Sequence, residues 1–190
     1  MASSTLSNFK GALAFGGARP SLFEMTVTKP STMTSIAGVF TDMKTHCNVS
    51  AIPPLTVTPI ERQYFGRTVK IPGDMVFGDL NTTIINSEKF PIRNAIDEWM
   101  DGINTHVGNI SHSDNTTWAG SLKLTQYTKD GDDLMSWTFV DCWPQTVAEI
   151  ALSYDTASDI EQFDVTWAYN YYTSLKGKSS NLTSTYAKQV

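Results

Sequence analysis

The sequence is short of charge and of the residue types that most often carry chemistry. Asp, Glu, Lys and Arg make up 17% of the 190 residues, below the roughly one quarter that is typical of soluble domains. There are three histidines and two cysteines, and no apolar run approaches the ~20 residues that a membrane-spanning helix needs. We therefore expect no membrane insertion by this chain, two buried reduced thiols, and a surface that is partly covered by neighbouring molecules.

The sequence has too few clustered basic residues for a protein that binds nucleic acid tightly. The net charge is −5, and the nearest approach to a basic cluster is Lys176-Gly-Lys178. Proteins that hold phosphates present a basic face, so tight binding of DNA or RNA is not expected. The N-terminal segment also lacks the charged region and apolar stretch of a secretory signal.

Candidate catalytic and metal-binding residues do not combine into a recognisable site. His106, His112 and Asp114 have a spacing that matches no familiar zinc pattern. The acidic run at 128–133 does not continue as a calcium loop: counted from Asp130, the sixth position is Met135 where that loop needs glycine, and the glutamate at the twelfth is missing. Its Asp-Gly pair favours a hairpin turn. No nucleophile motif or phosphate-binding loop is present. The sequence therefore predicts no metal, no cofactor and no enzyme.

What the chain does contain is alternation of apolar and polar residues, the pattern of half-buried strands. Only one segment has helical period: Ile92, Ile96, Trp99 and Ile103 recur at spacings of four, three and four, after a proline suited to a first helical turn. A helix is predicted over about 90–106. Strands are predicted at about 21–28, 39–49, 68–71, 80–86, 118–127, 134–140, 148–154 and 163–171.

This element order predicts a mainly β (α+β) fold, because alternating strands form antiparallel sheets with one buried face each. We expect a β-sandwich or partial barrel of about eight antiparallel strands with one flanking α-helix. The whole chain, 1–190, is predicted to be a single domain, with a flexible arm over about 1–19 and a loose tail over about 173–190.

In linear order the chain resembles the tail tube proteins of contractile-tailed bacteriophages. The match spans about 20–172, and the order of its parts is more specific than any one of them. Four stretches carry the match. The first is Ala-Arg-Pro-Ser-Leu-Phe-Glu-Met-Thr-Val at 18–27, and the second comprises Ala-Ile-Pro-Pro at 51–54, Ile-Glu-Arg-Gln-Tyr-Phe-Gly-Arg at 60–67 and Val-Lys-Ile-Pro-Gly-Asp at 69–74. The third is Phe-Gly-Asp-Leu at 77–80, and the fourth comprises Asp-Cys-Trp-Pro-Gln-Thr-Val at 141–147 and Ile-Glu-Gln-Phe-Asp-Val-Thr-Trp at 160–167.

The resemblance implies a structural protein of the virion. Six subunits would form a ring whose strands join one continuous inner barrel, and rings would stack into a tube through which DNA is ejected without specific binding. The implied partners are further copies of the chain, the tail sheath, tape-measure, baseplate and tail terminator proteins, with assembly in the host cytoplasm.

The connection at 53–65 is the candidate for contact between rings, because it is too long for a tight turn and carries apolar residues. The alternative is that Ile60, Tyr64 and Phe65 tuck onto their own domain. The candidate interface residues are Pro53, Pro54, Ile60, Arg62, Gln63, Tyr64 and Phe65.

The lumen is predicted from strand alternation. If Met135 and its alternating neighbours face the core, then Ser136 and Thr138 face the lumen, with Lys123 from the adjacent strand. Two other functions stay open: the inner tube of a phage-derived contractile injection or type VI-like secretion system, and a carbohydrate-binding β-sandwich module, which would expose Trp and Tyr in a shallow groove.

Overall fold

The described residues of the computed structural model, 2–12, 17–30, 33, 39–111, 115–156 and 159–176, form nine strands, four α-helices and one short 3-10 helix at Tyr154–Thr156. The helices are α1 (Ala2–Ala12), α2 (Val39–His46), α3 (Pro91–Ile103) and α4 (Asn115–Trp118). The strands are β1 (Phe23–Thr28), β2 (Cys47–Ser50), β3 (Leu55–Tyr64), β4 (Arg67–Phe77), β5 (Leu80–Ile85), β6 (Gly120–Tyr127), β7 (Asp133–Val147), β8 (Gln162–Ala168) and β9 (Tyr171–Lys176).

Two antiparallel sheets share the long strand β7, which confirms the predicted sandwich or partial barrel. The first half of β7 lies between β6 and β9, and β6 continues to β1. We call this set, in the order β1-β6-β7-β9, the first sheet. The second half of β7 pairs with β8, which continues to β5 and β2 as the second sheet. The change of sheet falls at Asp141, whose φ of 54° bends the strand.

Large apolar side chains fill the space between the sheets. Trp167, Phe139 and Met25 are completely buried, and each lies at an inward position of its strand. The two deepest indoles keep their N–H groups bonded, since Trp99 donates to the carbonyl of Trp118 at 2.9 Å and Trp167 donates to Thr82 Oγ1 at 2.9 Å. A buried indole needs such a partner, so the core is specified by polar contacts as well as by packing.

The predicted helix is confirmed as α3, although it is shorter than expected. Its buried stripe is formed by Ile92, Ala95, Ile96 and Trp99, the spacing that the sequence indicated. Phe90 caps the start in a left-handed conformation, and Asn104 ends the helix in an extended one. No helix of the described residues combines the length and the apolar content needed to cross a membrane.

The strand predicted at 39–49 is wrong for most of its length, because residues 39–46 form α2. Phe40 and Met43 are buried three residues apart, and the Phe40 ring meets the Trp99 ring edge-on at 5.7 Å. Packing against α3 therefore overrides the strand preference of a segment rich in Thr and Val. Residues 2–12 of the predicted arm are also helical, and the exposed positions of α1 include Leu6 and Phe9.

The last predicted strand is divided into β8 and β9, which lie in different sheets. Between them Asn170 donates its backbone N–H to the carbonyl of Val140 at 3.1 Å, and its side chain donates to Asp141 at 2.8 Å. Residues 173–176 therefore belong to a paired strand rather than to a loose tail, and 177–190 lie outside the described residues. The strand predicted at 148–154 is also wrong, because 148–153 pair with no described strand and Tyr154–Thr156 form a short 3-10 helix.

Both thiols are held in the protonated form. Burial raises the pKa of Cys47 and of Cys142 to about 12, and the thiolate is the reactive species. We expect Ellman's reagent to label the folded protein about a thousandfold more slowly at pH 8 than it labels the denatured chain. Stopped-flow absorbance would check this, and rapid labelling of either thiol in the folded protein would contradict it.

Candidate assembly interface

A two-stranded ribbon stands apart from the body of the domain. Strands β3 and β4 pair with each other and with no other described strand. Every residue of β3 is exposed, and so are all of β4 except Gly73 and Phe77, which are half-buried. Ten residues of strand span roughly 33 Å. We call β3, β4 and their turn, residues 55–77, the hairpin.

The outer half of the hairpin has one apolar and one polar face. Directly paired residues share a face of an antiparallel ribbon, so the register assigns each side chain. One face carries Ile60, Arg62, Tyr64, Arg67, Val69 and Ile71, and the opposite face carries Pro59, Glu61, Gln63, Thr68, Lys70 and Pro72. On the polar face Lys70 pairs with Glu61 at 3.2 Å. The apolar side chains of the first face stay 46–68% exposed.

The tip of the hairpin is strained and exposed at once. The two turn residues, Phe65 and Gly66, have φ of 45° and 77°, as a tight two-residue hairpin turn with the twist of its strands requires. For a bulky residue such as Phe65 this conformation costs on the order of 1–3 kcal/mol. The Phe65 side chain is nevertheless 90% exposed, with its ring edge-on to Tyr64 at 4.6 Å. These two features make Phe65 a candidate docking group.

The base of the hairpin is fixed to the body. Gly78 donates its N–H to the carbonyl of Pro54 at 3.0 Å, and its own carbonyl accepts a 2.6 Å hydrogen bond from the Tyr169 hydroxyl. The Phe77 ring packs on Tyr172, with 5.4 Å between ring centroids. Burial raises the pKa of Tyr169 to about 12, with a smaller contribution from Tyr172, so this hydroxyl stays a donor at neutral pH.

The structure separates the predicted interface residues into two groups. Pro53 is buried and Pro54 packs against Gly78, so both prolines anchor the base. Ile60, Arg62, Gln63, Tyr64 and Phe65 all lie on the exposed hairpin. The alternative that Ile60, Tyr64 and Phe65 tuck onto their own domain is therefore wrong for the single chain.

Sequence reasoning missed both strands of the hairpin over most of their length. It took 53–65, which contains all of β3, for a connection without strand structure. It predicted only 68–71 and took Pro72-Gly73 for a turn that ends the strand, whereas β4 continues through them to Phe77. Proline is tolerated there because an isolated ribbon needs hydrogen bonds on one side only. A register shift between Val57 and Pro59 accommodates the irregularity. The alternation of 67–71 with 55–64 across Phe65-Gly66 is the signal that could have found it.

The first sheet is open at both edges. Its outer strands are β1 and β9, and each pairs with a single neighbour among the described strands. Outside that ladder, the backbone hydrogen bonds of the described residues include none from positions 23–28 or 171–176. Such edges are templates for pairing with another chain. Directions alternate across the sheet, so β1 of one copy can pair antiparallel with β9 of another.

The face of the first sheet that points away from the core carries hydroxyl groups. Lys123 pairs with Thr138, and Thr125 pairs with Ser136, so the structure places all three predicted lumen residues on this one face. Lys123 is exposed, Thr138 is half-buried and Ser136 is only 9% exposed. A serine side chain is short, and its paired neighbour Leu175 is 53% exposed, so Ser136 lies beneath the surface that its neighbours form.

One carboxylate lies on the same face and is neutralised in place. Glu24 bonds Lys44 at 2.7 Å and accepts a hydrogen bond from the Tyr127 hydroxyl at 3.0 Å. The contact with Lys44 lowers the pKa of Glu24, although burial opposes it, so the carboxylate is ionised at neutral pH. The face therefore presents hydroxyl groups, the exposed side chains of Tyr171 and Leu175, the paired carboxylate of Glu24 and the cation of Lys123.

The groove expected of a carbohydrate-binding module is not formed by tryptophan. All five tryptophans are among the described residues, and each is buried or half-buried. The acidic run at 128–133 is the predicted hairpin turn, closed by a 2.8 Å hydrogen bond from Thr128 N–H to the Asp132 carbonyl. His106 contacts Asp101 at 3.4 Å, whereas His112 and Asp114 lie outside the described residues. The described residues contain no group of three potential metal ligands.

Comparison with known proteins agrees with this architecture. The family model described as phage tail tube protein matches residues 8–175. The tail tube protein gp19 of Enterobacteria phage T4 is 24% identical over 156 residues, which cover 82% of this chain and 90% of that protein. The same values hold for gp19 of Enterobacteria phage T6.

Two solved structures share the fold at low identity. A chain of the PVC sheath–tube complex, an extracellular contractile injection system, has a TM-score of 0.59 at 15% identity, with 87% of this chain and 97% of that chain covered. A chain of the anti-feeding prophage tube-terminating cap has a TM-score of 0.61 at 15% identity, with 84% and 91% covered.

Open sheet edges and a projecting amphipathic hairpin define a structural subunit that is built for assembly. The chain belongs to the phage tail tube protein family, as a tail tube protein of contractile-tailed phages. It is accordingly a component of the virion tail.

Proposed function

We propose that six copies of this chain close into a ring through the first sheet, that rings stack through the hairpin, and that the resulting tube conducts DNA without enzymatic activity. The observation that carries the proposal is a four-stranded antiparallel sheet open at both edges. An even number of alternating strands lets every junction between copies be antiparallel, so the closed barrel has no exposed edge.

The dimensions of such a ring suit a conduit. Four strands from each of six copies give about 24 strands, and at about 4.8 Å per strand the barrel is at least about 37 Å across before strand tilt widens it. A double helix fits within such a barrel. The number six comes from the family resemblance, and the strand count per copy comes from the first sheet.

The hydroxyl-bearing face of the first sheet would line the lumen. A wall rich in Lys and Arg would release counterions from DNA and hold it, whereas Ser136 and Thr138 carry no charge. Lys123 is the cation of this face, and the net charge of −5 per copy surrounds it with an acidic assembly that repels DNA. The wall is therefore suited to passage and not to binding.

The proposed partners are the other parts of the tail: sheath, tape-measure, baseplate and tail terminator proteins, joined during assembly in the host cytoplasm. Support comes from the similar folds in a sheath–tube complex, in a tube-terminating cap and in the anti-feeding prophage baseplate structure. The same folds favour one second candidate, the inner tube of an injection system that carries a protein effector. Capsid and terminase genes next to the coding sequence would favour the phage.

Negative-stain electron microscopy of the purified chain tests the proposal directly. We expect rings with sixfold symmetry or stacked tubes, either spontaneously or after addition of baseplate seeds. A chain that remains monomeric at high concentration and on every seed would overturn it. Rings with a different symmetry would contradict the number six and leave the tube function standing.

The tip residue provides a sharper test of stacking. Phe65→Asn gives the Asn-Gly pair that this turn prefers, so the monomer should melt at the same temperature or slightly higher. Burial of a Phe side chain contributes about 1.5–3 kcal/mol, so its loss should raise the critical concentration for tube elongation about tenfold or more. Sedimentation at increasing protein concentration measures this.

A matched control comes from the polar face of the hairpin. Thr68→Gln, on the polar face and two residues from the tip, should leave elongation unchanged. Unchanged elongation by Phe65→Asn would exclude the tip from the contact between rings.

A further inference from the structure

The connection between β7 and β8 lies at the end of the second sheet opposite to the hairpin. Ile85 pairs with Gln162 at this end, and Leu80 pairs with Trp167 at the other. The hairpin leads into Leu80 through Gly78 and Asp79. The chain therefore presents the hairpin at one end of the sheet and residues 148–156 with 159–161, which we call the acidic loop, at the other.

The acidic loop exposes large apolar side chains. Leu152 is 85% exposed, Ile160 is 69% exposed and Tyr154 is fully exposed. The alternation of 148–154 is typical of a half-buried segment. Ile150 packs against the core, whereas no described residue covers Leu152 or Tyr154. Its start is fixed, since the Ala148 N–H donates to the Asp164 carbonyl at 2.8 Å and its own carbonyl accepts from Arg93 at 2.9 Å. An anchored loop with exposed apolar side chains is typical of a docking surface.

The charge of this loop is of one sign. It contains Glu149, Asp155, Asp159 and Glu161 and no basic residue. Glu161 accepts a 2.6 Å hydrogen bond from Asn86, whereas the other three form no ion pair with another described residue. Three carboxylates beside exposed Leu and Tyr side chains would favour a partner that is both basic and apolar.

The hairpin has the complementary chemistry. It carries three basic and two acidic side chains, a net charge of +1 in a chain of net charge −5. Arg62 and Arg67 lie on its apolar face beside Tyr64, and neither arginine forms an ion pair within the described part of the chain. The two surfaces therefore match in apolar content and oppose in charge.

We infer that the apolar face of the hairpin of one copy docks on the acidic loop of the copy in the next ring, with Arg62 and Arg67 facing the carboxylates of that loop. This inference rests on the proposed stacking of rings, and it identifies the acidic loop as the surface that receives the hairpin. Because the two surfaces lie at opposite ends of the second sheet, the contact is head-to-tail. Such a contact does not close on itself and propagates as a filament, which is the geometry that a tube requires.

Charge reversal on each side, and then on both, tests the contact. Arg62→Glu with Arg67→Glu on the hairpin, or Asp155→Lys with Asp159→Lys on the loop, should each raise the critical concentration for elongation about tenfold or more. The chain carrying all four substitutions should recover elongation to within about threefold of the parent, since every contact then has its charges exchanged. Sedimentation and electron microscopy of full-length protein give the readout.

The control is Lys129→Glu with Asp130→Lys in the turn between β6 and β7, where both side chains are exposed. It should elongate like the parent. The assignment of the acidic loop as acceptor is wrong if the loop variant elongates normally. It is also wrong if the chain with all four substitutions does not elongate although both double variants are folded by circular dichroism. If hairpin reversal alone impairs elongation, the proposed stacking survives with a different acceptor. If neither reversal has an effect, the acceptor is overturned, and truncation of the hairpin decides whether the stacking is as well.

Discussion

Replacing residues 58–74 with an Asn-Gly turn is expected to give a folded monomer that cannot elongate tubes. The replacement joins Val57 to Met75, which already face each other across the hairpin, through the two-residue turn that such a pair favours. The truncation therefore keeps the base, with Phe77 packed on Tyr172, and removes only the projecting part.

We expect the stability of the body to stay unchanged, because the hairpin contributes no residue to the core. Apart from a half-buried glycine, every residue removed is exposed, so the free energy of unfolding should stay within about 1 kcal/mol of the parent. Assembly would lose the burial of Ile60, Ile71 and Phe65 among others. At about 1.5–3 kcal/mol for each large side chain buried, elongation should weaken more than a thousandfold.

Thermal unfolding by circular dichroism and negative-stain microscopy together check both parts. A matched control exchanges the ion pair of the polar face, Glu61→Lys with Lys70→Glu, which keeps length, net charge and pairing. That variant should elongate normally. Tubes from the truncated chain at parental concentrations would contradict the assignment of the hairpin to stacking. A truncated chain that fails to fold would show instead that the hairpin stabilises its own domain.

Helix α3 and the inner strands could be predicted from the sequence because their burial is satisfied within one chain. The spacing of Ile92, Ile96 and Trp99 matches the buried stripe, and the alternation of Phe163, Val165 and Trp167 matches the buried face of β8. In each case the period of the pattern equals the period of the element. The core partner is supplied by the same molecule, so local pattern and tertiary packing agree.

The misassigned segments are those in which the pattern is set by contacts that the local sequence does not reveal. Residues 39–46 alternate weakly like a strand, whereas the packing of Phe40 on Trp99 and the burial of Met43 three residues on favour a helix. Residues 148–154 alternate like a strand but have no partner among the described strands. In the hairpin, Pro72 was taken as an end because the sequence does not show that the ribbon is isolated.

The shared outward face of Lys123, Ser136 and Thr138 could be predicted for a different reason, which is that a strand has a period of two. Once Trp137 and Phe139 are inside, Ser136 and Thr138 must lie outside, and the β6–β7 register adds Lys123. Burial was not predictable in the same way. Ser136 is nearly covered because its neighbours are larger, and neighbour size depends on the strand that follows, β9, whose place in the sheet the sequence did not indicate.

Cysteine pairs across the open edges should convert the ring into a covalent closed oligomer. Thr26 on β1 lies on the outward face of the first sheet, as do Tyr171, Thr173 and Leu175 on β9. We would combine Thr26→Cys with a cysteine at each of the three β9 positions in turn. Facing residues of neighbouring strands have Cβ atoms about 4.5–5.5 Å apart, close to the span of a disulfide, so one or two registers should oxidise efficiently.

The outcome counts the subunits as well as locating the junction. Oxidised rings should run on a denaturing gel as a ladder that ends at six copies, because head-to-tail closure leaves no free pair. Each single cysteine variant is the control and should give no ladder, since the native thiols are buried and protonated. A ladder ending at another number would refute the hexamer. Absence of any intermolecular bond in all three registers, in rings visible by microscopy, would mean that the copies join through a different edge.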